Sequence, residues 1–305
     1  MSEIRIHKSL NHKNIVSFDH FFEDGSSIYI LLGICRNQTI HELLERRKRL
    51  TEIEARCYII QLISGLKYLH KQHIIHRDLK LRNLFLTERM EVKIGDFGLA
   101  AQLQHPGDKR HTVCGTPNYI APEIIGKQGH SYEVDIWALG IILYTILIGY
   151  SPFGTTEIVS TYKRIQSGVY EFPKDIHISR EAKDLITRIL NLNPFKRPTL
   201  DQILEHRFIS GHSTPALMSP STFNNIPLEP LVKQYSEPLL SINNNNHYMT
   251  YRSNRFTFKE SSTGTWVKKW MEITERCGIG YLMSNGYYGV AFNDSSKLIL
   301  CSNKR

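Results

Sequence analysis

Apolar residues in the first two-thirds of the chain recur at two spacings, and each predicts its own kind of element. Ile59, Leu62, Ile63, Leu66 and Leu69 fall at helical spacing and predict an amphipathic helix with one stripe turned to a core. Thr51-Glu52-Ile53-Glu54 precedes that stripe and fits a capping box, in which the Thr51 hydroxyl accepts from the Glu54 amide while the Glu54 carboxylate reaches back. This helix should end just before His76. Asp135 to Ile148 is apolar around its whole circumference, which predicts a central helix packed on every side. Its most apolar part is shorter than the roughly 20 residues that cross a bilayer, so no membrane span is expected. Glu181 to Leu192 predicts a further amphipathic helix. Ile28 to Leu32, after the turn-prone Asp24-Gly25, predicts a short strand, and Val92-Lys93-Ile94 another. Few strands early and many helices later predict an α+β domain dominated by its helical part.

Beyond residue 210 the periodicity lapses. Residues 211–262 carry several prolines, many serines and the run Asn243-Asn244-Asn245-Asn246, and read as a polar linker expected to be disordered. Residues 263–305 regain aromatic and β-branched runs divided by glycines. The hydrophobic fraction of 41% and charged fraction of 22% suit a folded soluble protein. The net charge of +9 is spread out: residues 1–210 hold 28 basic and 23 acidic side chains, and residues 211–305 hold 10 and 6. A nucleic-acid binder concentrates its excess on one stripe, so no nucleic-acid partner is expected, only a mild preference for acidic protein partners. Five cysteines with no C-x-x-C pair indicate neither a disulfide framework nor a zinc site, and fit a reducing, intracellular compartment. Met1 to His7 shows no apolar signal core.

The chemistry is carried by His76-Arg77-Asp78-Leu79-Lys80-Leu81-Arg82-Asn83. Asp96-Phe97-Gly98 follows Asn83 by thirteen residues, and Ala121-Pro122-Glu123 comes later. A lone Asp-Phe-Gly arises by chance; three motifs in this order, with the Val92–Ile94 strand between the first two, do not. They match in order and spacing the catalytic loop, metal-binding motif and activation-segment end of protein kinases, a family this chain therefore resembles. The resemblance implies ATP and Mg2+ as cofactors. It makes Asp78 the acceptor of the substrate hydroxyl proton, Lys80 the ammonium facing the transferring phosphate and the mark of serine/threonine specificity, and Asn83 and Asp96 the oxygen ligands of the metal. It places adenine along Leu32, Gly33, Ile34 and Cys35, although Gly33 stands where the family usually has an acidic residue. Asp135 resembles the anchor of the catalytic-loop backbone, and Arg197 the partner of Glu123 in a buried ion pair. Thr112 in the activation segment, with Arg77 beside Asp78, implies control by phosphorylation. Thr116 is expected to contact the catalytic loop, and His76 and Phe97 to be packing residues. Arg82 replaces the family's usual small residue and is expected to face solvent.

Glu3 to Leu10, Leu50 to Arg56, and Cys114 to Tyr119 followed by Lys127 to His130 resemble polo-like kinases in particular. The run Trp266 to Trp270, Gly278 to Tyr281, and Gly289 to Leu298 resemble the opening strands of a first polo box. The implied architecture is a protein-kinase-like α+β fold lacking the first N-lobe strands (1–210), with a mostly helical C-lobe. The linker (211–262) and a partial polo-box β-sheet (263–305) follow. Trp270 falls where the family packs a tryptophan beside a phosphopeptide, while Trp266 reads as sheet packing. Partners implied are protein substrates with serine or threonine and phosphorylated docking proteins. The family acts in cell-cycle control in the nucleus, cytoplasm, centrosome or spindle. Glu3 matches the glutamate that pairs with an upstream lysine, and neither that lysine nor a Gly-rich loop occurs in the sequence. The chain is therefore expected to bind ATP poorly and turn over little. Read this way, it is either the body of a kinase or an impaired scaffold or docking fragment.

Overall fold

The computed structural model describes residues 2–24, 27–105 and 107–223, together with the backbone course of four later strands. The Asn243–Asn246 run, Trp266 and the rest of the expected linker from 224 onward lie outside the described residues. The chain divides into two units, Met1–Ser17 with Gly33–Pro227, and Phe18–Leu32 with Leu228–Arg305.

In the first unit, α1 (Ser2–His7) buries Ile4, Ile6 and His7. Helix α2 (Ile40–Arg47) starts at a capping box made by Thr39 and Glu42. Helix α3 (Glu52–Lys71) starts at the one made by Thr51 and Glu54, where the Thr51 amide donates to Glu54 at 2.8 Å and its hydroxyl accepts from the Glu54 amide at 3.3 Å. Such caps satisfy amides that a helix start would otherwise leave without partners. Five short segments follow: β3 (Ile74–Ile75), β4 (Leu84–Leu86), β5 (Val92–Ile94), β6 (Ala101–Gln102) and the helical turn α4 (Pro122–Ile125). β3 pairs antiparallel with β6, and β4 with β5.

Helix α5 (Glu133–Ile148) buries every residue from Val134 to Ile148. It packs between α3 and α7 (Arg180–Ile189), with Trp137 stacked on Phe153 at 5.7 Å. Each large side chain so buried contributes about 1.5–3 kcal/mol. Gly149 ends α5 at φ +101°, and an added Cβ would lie 2.6 Å from the Lys48 carbonyl, so glycine is required there. Helix α6 (Ile158–Ser167) and the short α8 (Leu200–Glu205) and α9 (Arg207–Ser210) complete the body. Helix α7 stops at Ile189, short of the Leu192 that periodicity suggests. The Asn191 carbonyl is taken by Arg197 Nε at 2.9 Å, and Asn193 caps the turn at Pro194–Lys196 instead.

The same arginine closes a buried charge pair. Arg197 Nη1 and Nη2 donate to Glu123 Oε1 and Oε2 at 2.7 Å each, and Nη1 also donates to the Glu133 carbonyl at 2.8 Å. The guanidinium lies 4.9 Å from the Trp137 ring centroid. The activation-segment end is thereby pinned to the helical body.

In the second unit, β1 (Phe18–Glu23) and β2 (Ile28–Leu32) form an antiparallel hairpin, with Phe22 stacked on Tyr29 at 4.8 Å. The later strands β7 (Val267–Thr274), β8 (Gly278–Met283), β9 (Tyr288–Phe292) and β10 (Lys297–Leu300) form one antiparallel sheet in the order β10-β9-β8-β7.

Arg197→Met should leave Glu123 charged and buried, lowering stability by about 3–5 kcal/mol. This would appear as a lower urea midpoint at unchanged slope, and adding Glu123→Leu should restore most of the loss.

Candidate active site

Residues 76–83 bridge β3 and β4, two short strands that hold the loop at both ends. Asp135, fully buried in the first turn of α5, reaches under it. Its Oδ2 accepts from the His76 amide at 3.0 Å and its Oδ1 from the Arg77 amide at 2.9 Å. His70 Nε2, on the last turn of α3, contacts Oδ2 at 2.9 Å. Burial alone would raise the Asp135 pKa. The His70 hydrogen bond and charge, with His76 behind them, override it and hold the group below the usual carboxylate range. This grip matters because Arg77 sits at φ 66°, a left-handed conformation that a bulky, non-glycine residue adopts only when its surroundings impose it.

His76 ties the loop to the Asp96 segment. Its Nδ1 accepts from the Asp78 amide at 3.3 Å and its Nε2 donates to the Gly95 carbonyl at 3.1 Å, which selects the tautomer protonated at Nε2. The Gly95 amide returns a bond to the Asn83 carbonyl at 3.0 Å. Phe97 is wholly buried between the rings of His7 and His76, at 4.6 and 5.2 Å. Asp96 itself is exposed and, like Arg77, left-handed, at φ 61°.

Asp78 is held from several directions. Its Oδ1 accepts from the Thr116 amide at 3.0 Å and hydroxyl at 2.7 Å, and its Oδ2 from Lys80 Nζ at 2.6 Å. Asn83 Nδ2 donates to the Asp78 carbonyl at 2.9 Å and lies 3.4 Å from Oδ2. Lys80 also reaches the Thr116 hydroxyl at 3.3 Å. The structure thus brings Asp78, Lys80, Asn83 and Thr116 into one cluster and joins them through Gly95 to Asp96.

Asn83 spends its amide nitrogen on the loop, which leaves its amide oxygen, with the Asp96 carboxylate, as donors suited to a hard cation. Among the described residues no three His, Cys, Asp or Glu side chains form a metal cage. Magnesium held by one or two protein oxygens takes its other ligands from phosphate and water, so this sparse donor set fits it. The Glu3 carboxylate faces the same spot: an added Cβ at Gly98 would lie 3.3 Å from Asp96 Oδ1 and 3.6 Å from Glu3 Oε2. Burial, then the Asp96 charge, raises the Glu3 pKa.

The other residues named from the sequence have contacts of their own. Leu32 ends β2, paired with Phe18. The Gly33 amide donates to the Ser17 carbonyl at 2.9 Å, Ile34 is exposed, and burial pushes the half-buried Cys35 thiol up to about 11. Arg77 Nε donates to the Leu99 carbonyl at 2.8 Å, while Thr112 is exposed and makes no hydrogen bond to it among the described residues. Arg82 is exposed, 4.0 Å from Glu42. Trp270 lies in β7 opposite Tyr281 in register. Two residues escaped the sequence reading, His70 under Asp135 and Gln61, whose Oε1 accepts from the Val92 amide at 2.8 Å. The available signal was a polar residue interrupting the apolar stripe of α3.

Residues 1–209 match the protein kinase domain family, and residues 275–305 match the POLO box duplicated region. The chain is similar to the probable serine/threonine-protein kinase CCRP1 of Zea mays, at 55% identity over 79% of this chain and 39% of that protein. It is similar to the serine/threonine-protein kinase polo of Drosophila melanogaster, at 37% over 99% of this chain and 62% of that one. Against the serine/threonine-protein kinase PLK1 of Xenopus laevis the identity is 39% over 98% and 58%. The chain thus spans less than two-thirds of the length of these relatives. Its kinase match, followed in order by a polo-box match, establishes that it belongs to the protein kinase family and, within it, to the polo-like kinases.

Proposed function

We propose that this chain carries the catalytic body of a serine/threonine kinase that moves the ATP γ-phosphate to protein hydroxyls in intracellular cell-cycle control. The observation that carries the reading is the Asp78 carboxylate, held by Lys80 and Thr116 and linked through Asn83 and Gly95 to Asp96. Phosphoryl transfer needs positioning and charge neutralisation more than covalent help, and this cluster supplies both. Asp78 orients the acceptor hydroxyl and takes its proton. In the structure its Oδ1 accepts from the Thr116 hydroxyl at 2.7 Å, which fixes the direction of the carboxylate. Lys80, already within reach of both, presents positive charge to the transferring group. Asn83 and Asp96 hold magnesium, which supplies neutralisation of the triphosphate charge when bound. Gly33 to Cys35 offer backbone groups to adenine.

Regulation falls to Thr112 and Arg77. Arg110, two residues before Thr112, pairs backbone to backbone with His130, at 2.9 Å in both directions. Burial, then the Arg77 charge, lowers the pKa of His130, so that charge is felt at this pairing. A phosphate on Thr112 would gain charge-assisted bonds from Arg77 and order the segment. The polo-box strands, with Trp270 on β7, would dock phosphorylated partners.

One observation favours a non-catalytic scaffold instead. Glu3 and Asp96 face each other, so that two like charges meet where the metal would be held. Magnesium-ATP separates the two readings: a ligand bound only by the folded state must raise its melting temperature. The kinase reading expects such a rise, abolished by EDTA; a folded chain with no rise supports the scaffold. Asp78→Asn should lower kcat by about 10²–10⁴-fold with little change in ATP affinity, measured by phosphate transfer to a serine peptide. Thr112→Ala should remove activation by an upstream kinase while leaving basal transfer intact, and undiminished activation would refute the Arg77 mechanism.

A further inference from the structure

Residues 214–223, polar enough in sequence to read as the start of a linker, are seated on α2 and α3. Phe223 is buried, and the Arg46 guanidinium lies 4.4 Å from its ring centroid. Arg47, also buried, donates to the Thr222 carbonyl while holding both Glu54 oxygens at 2.9 and 3.0 Å. Met218 packs against the main core. The Ala216 carbonyl accepts from Gln61 Nε2 at 3.4 Å and from Cys57 Sγ at 3.7 Å.

Gln61 is the residue that joins this strap to the active site. It is buried on α3, and its other end, Oε1, accepts from the Val92 amide at 2.8 Å. Val92 opens β5, the strand that leads within two residues of its end to Asp96. The Val92 carbonyl accepts from Asn14 Nδ2 at 2.9 Å, and the Ile94 amide donates to the Asn14 carbonyl at 2.8 Å. Thus β5 is held along one side by the Gln61 and Asn14 side chains and backbone, and the Gln61 clamp alone extends to the strap. The bonds of Gln61 and Asn14 to Val92 are buried and have no water to replace them, so loss of one leaves a polar group unsatisfied.

We propose that Gln61 is a positioning residue that couples the strap to the strand carrying Asp96. Seating of residues 214–223 fixes the Gln61 amide and, through it, Val92; release of the strap leaves the amide nitrogen only the weak contact to Cys57 Sγ at 3.5 Å and loosens β5. The coupling rests on the reading of Asp96 as a metal-holding residue, and deepens it into regulation: the sequence runs on from Phe223 to the polo-box strands, so a load on that connection acts on the strap. A strap that only covers apolar surface would leave Val92 untouched when it lifts.

Amide hydrogen exchange on the full chain, resolved by residue, tests this directly. Phe223→Ala unseats the strap, with the Thr222 amide, bonded to the Ser219 carbonyl at 2.9 Å, as marker of unseating. Gln61→Met removes the clamp at similar volume. Each variant should speed exchange at Val92 about tenfold while leaving Leu139 in the α5 core unchanged, and the double variant should be no faster than either single. Fast exchange at Thr222 with full protection at Val92 overturns the proposal. So does an additive double variant, or a rise at Leu139 equal to that at Val92. If Phe223→Ala leaves Thr222 protected, the same comparison is made with Met218→Asp added to it. A second arm follows the magnesium concentration needed for half-maximal thermal stabilisation by ATP, expected to rise about tenfold in both variants. Absence of any stabilisation in the unaltered chain would sink the kinase reading, while the exchange arm still decides the coupling.

Discussion

The buried carboxylate of Asp135 is the point on which the catalytic loop depends. The only apolar side chains the loop buries are Leu79 and Leu81, while it carries the charged Arg77, Asp78 and Lys80, and one of its residues adopts a left-handed backbone. Two amide hydrogen bonds to a single carboxylate fix the loop at the residues just before Asp78. The carboxylate is itself kept charged by His70, so the loop is anchored by an ion in a low-dielectric setting where such bonds are strong. That anchor sits on α5, whose entire length is buried, and so inherits the rigidity of the core.

From this anchor the site is assembled by exchange of backbone and side-chain bonds between loops. His76 and Gly95 connect the catalytic loop to the Asp96 segment, and Asn83 closes the circuit through the Gly95 amide. Phe97, wedged between two imidazoles, fixes the orientation of Asp96 without touching solvent. Asp78 then faces Lys80 and Thr116, a pairing between residues 38 positions apart that exists only once the activation segment has folded back. Catalytic and regulatory elements therefore share atoms, which gives the activation segment a direct hold on the group proposed to accept the proton.

The periphery is organised by the same physics. Glu123 with Arg197 and Glu54 with Arg47 are both buried bidentate pairs, and in each the arginine spends a further donor on a distant carbonyl, of Glu133 or of Thr222. Charges that would be costly alone become fasteners when they are paired and further hydrogen-bonded. One pair pins the end of the activation segment, the other the strap. The strap is the main departure from what composition suggests, since Ser219, Pro220 and Ser221 look like linker. Phe223 and Met218, two apolar residues in that stretch, find a surface waiting for them on α2 and α3.

The sequence alone determined the elements and the identity of the chemistry. Apolar spacing and the Thr51 capping box define α3, an unbroken apolar run marks α5, and the order of three short motifs identifies a kinase. These are local signals, set by helix geometry and by residue types that phosphoryl transfer requires at fixed spacing. Tertiary structure decided what those signals could not encode: that His70 charges the anchor, and that Gln61 spans from the strap to β5. Each is a contact between residues distant in sequence, where a polar side chain has many possible partners and only the packed core selects one.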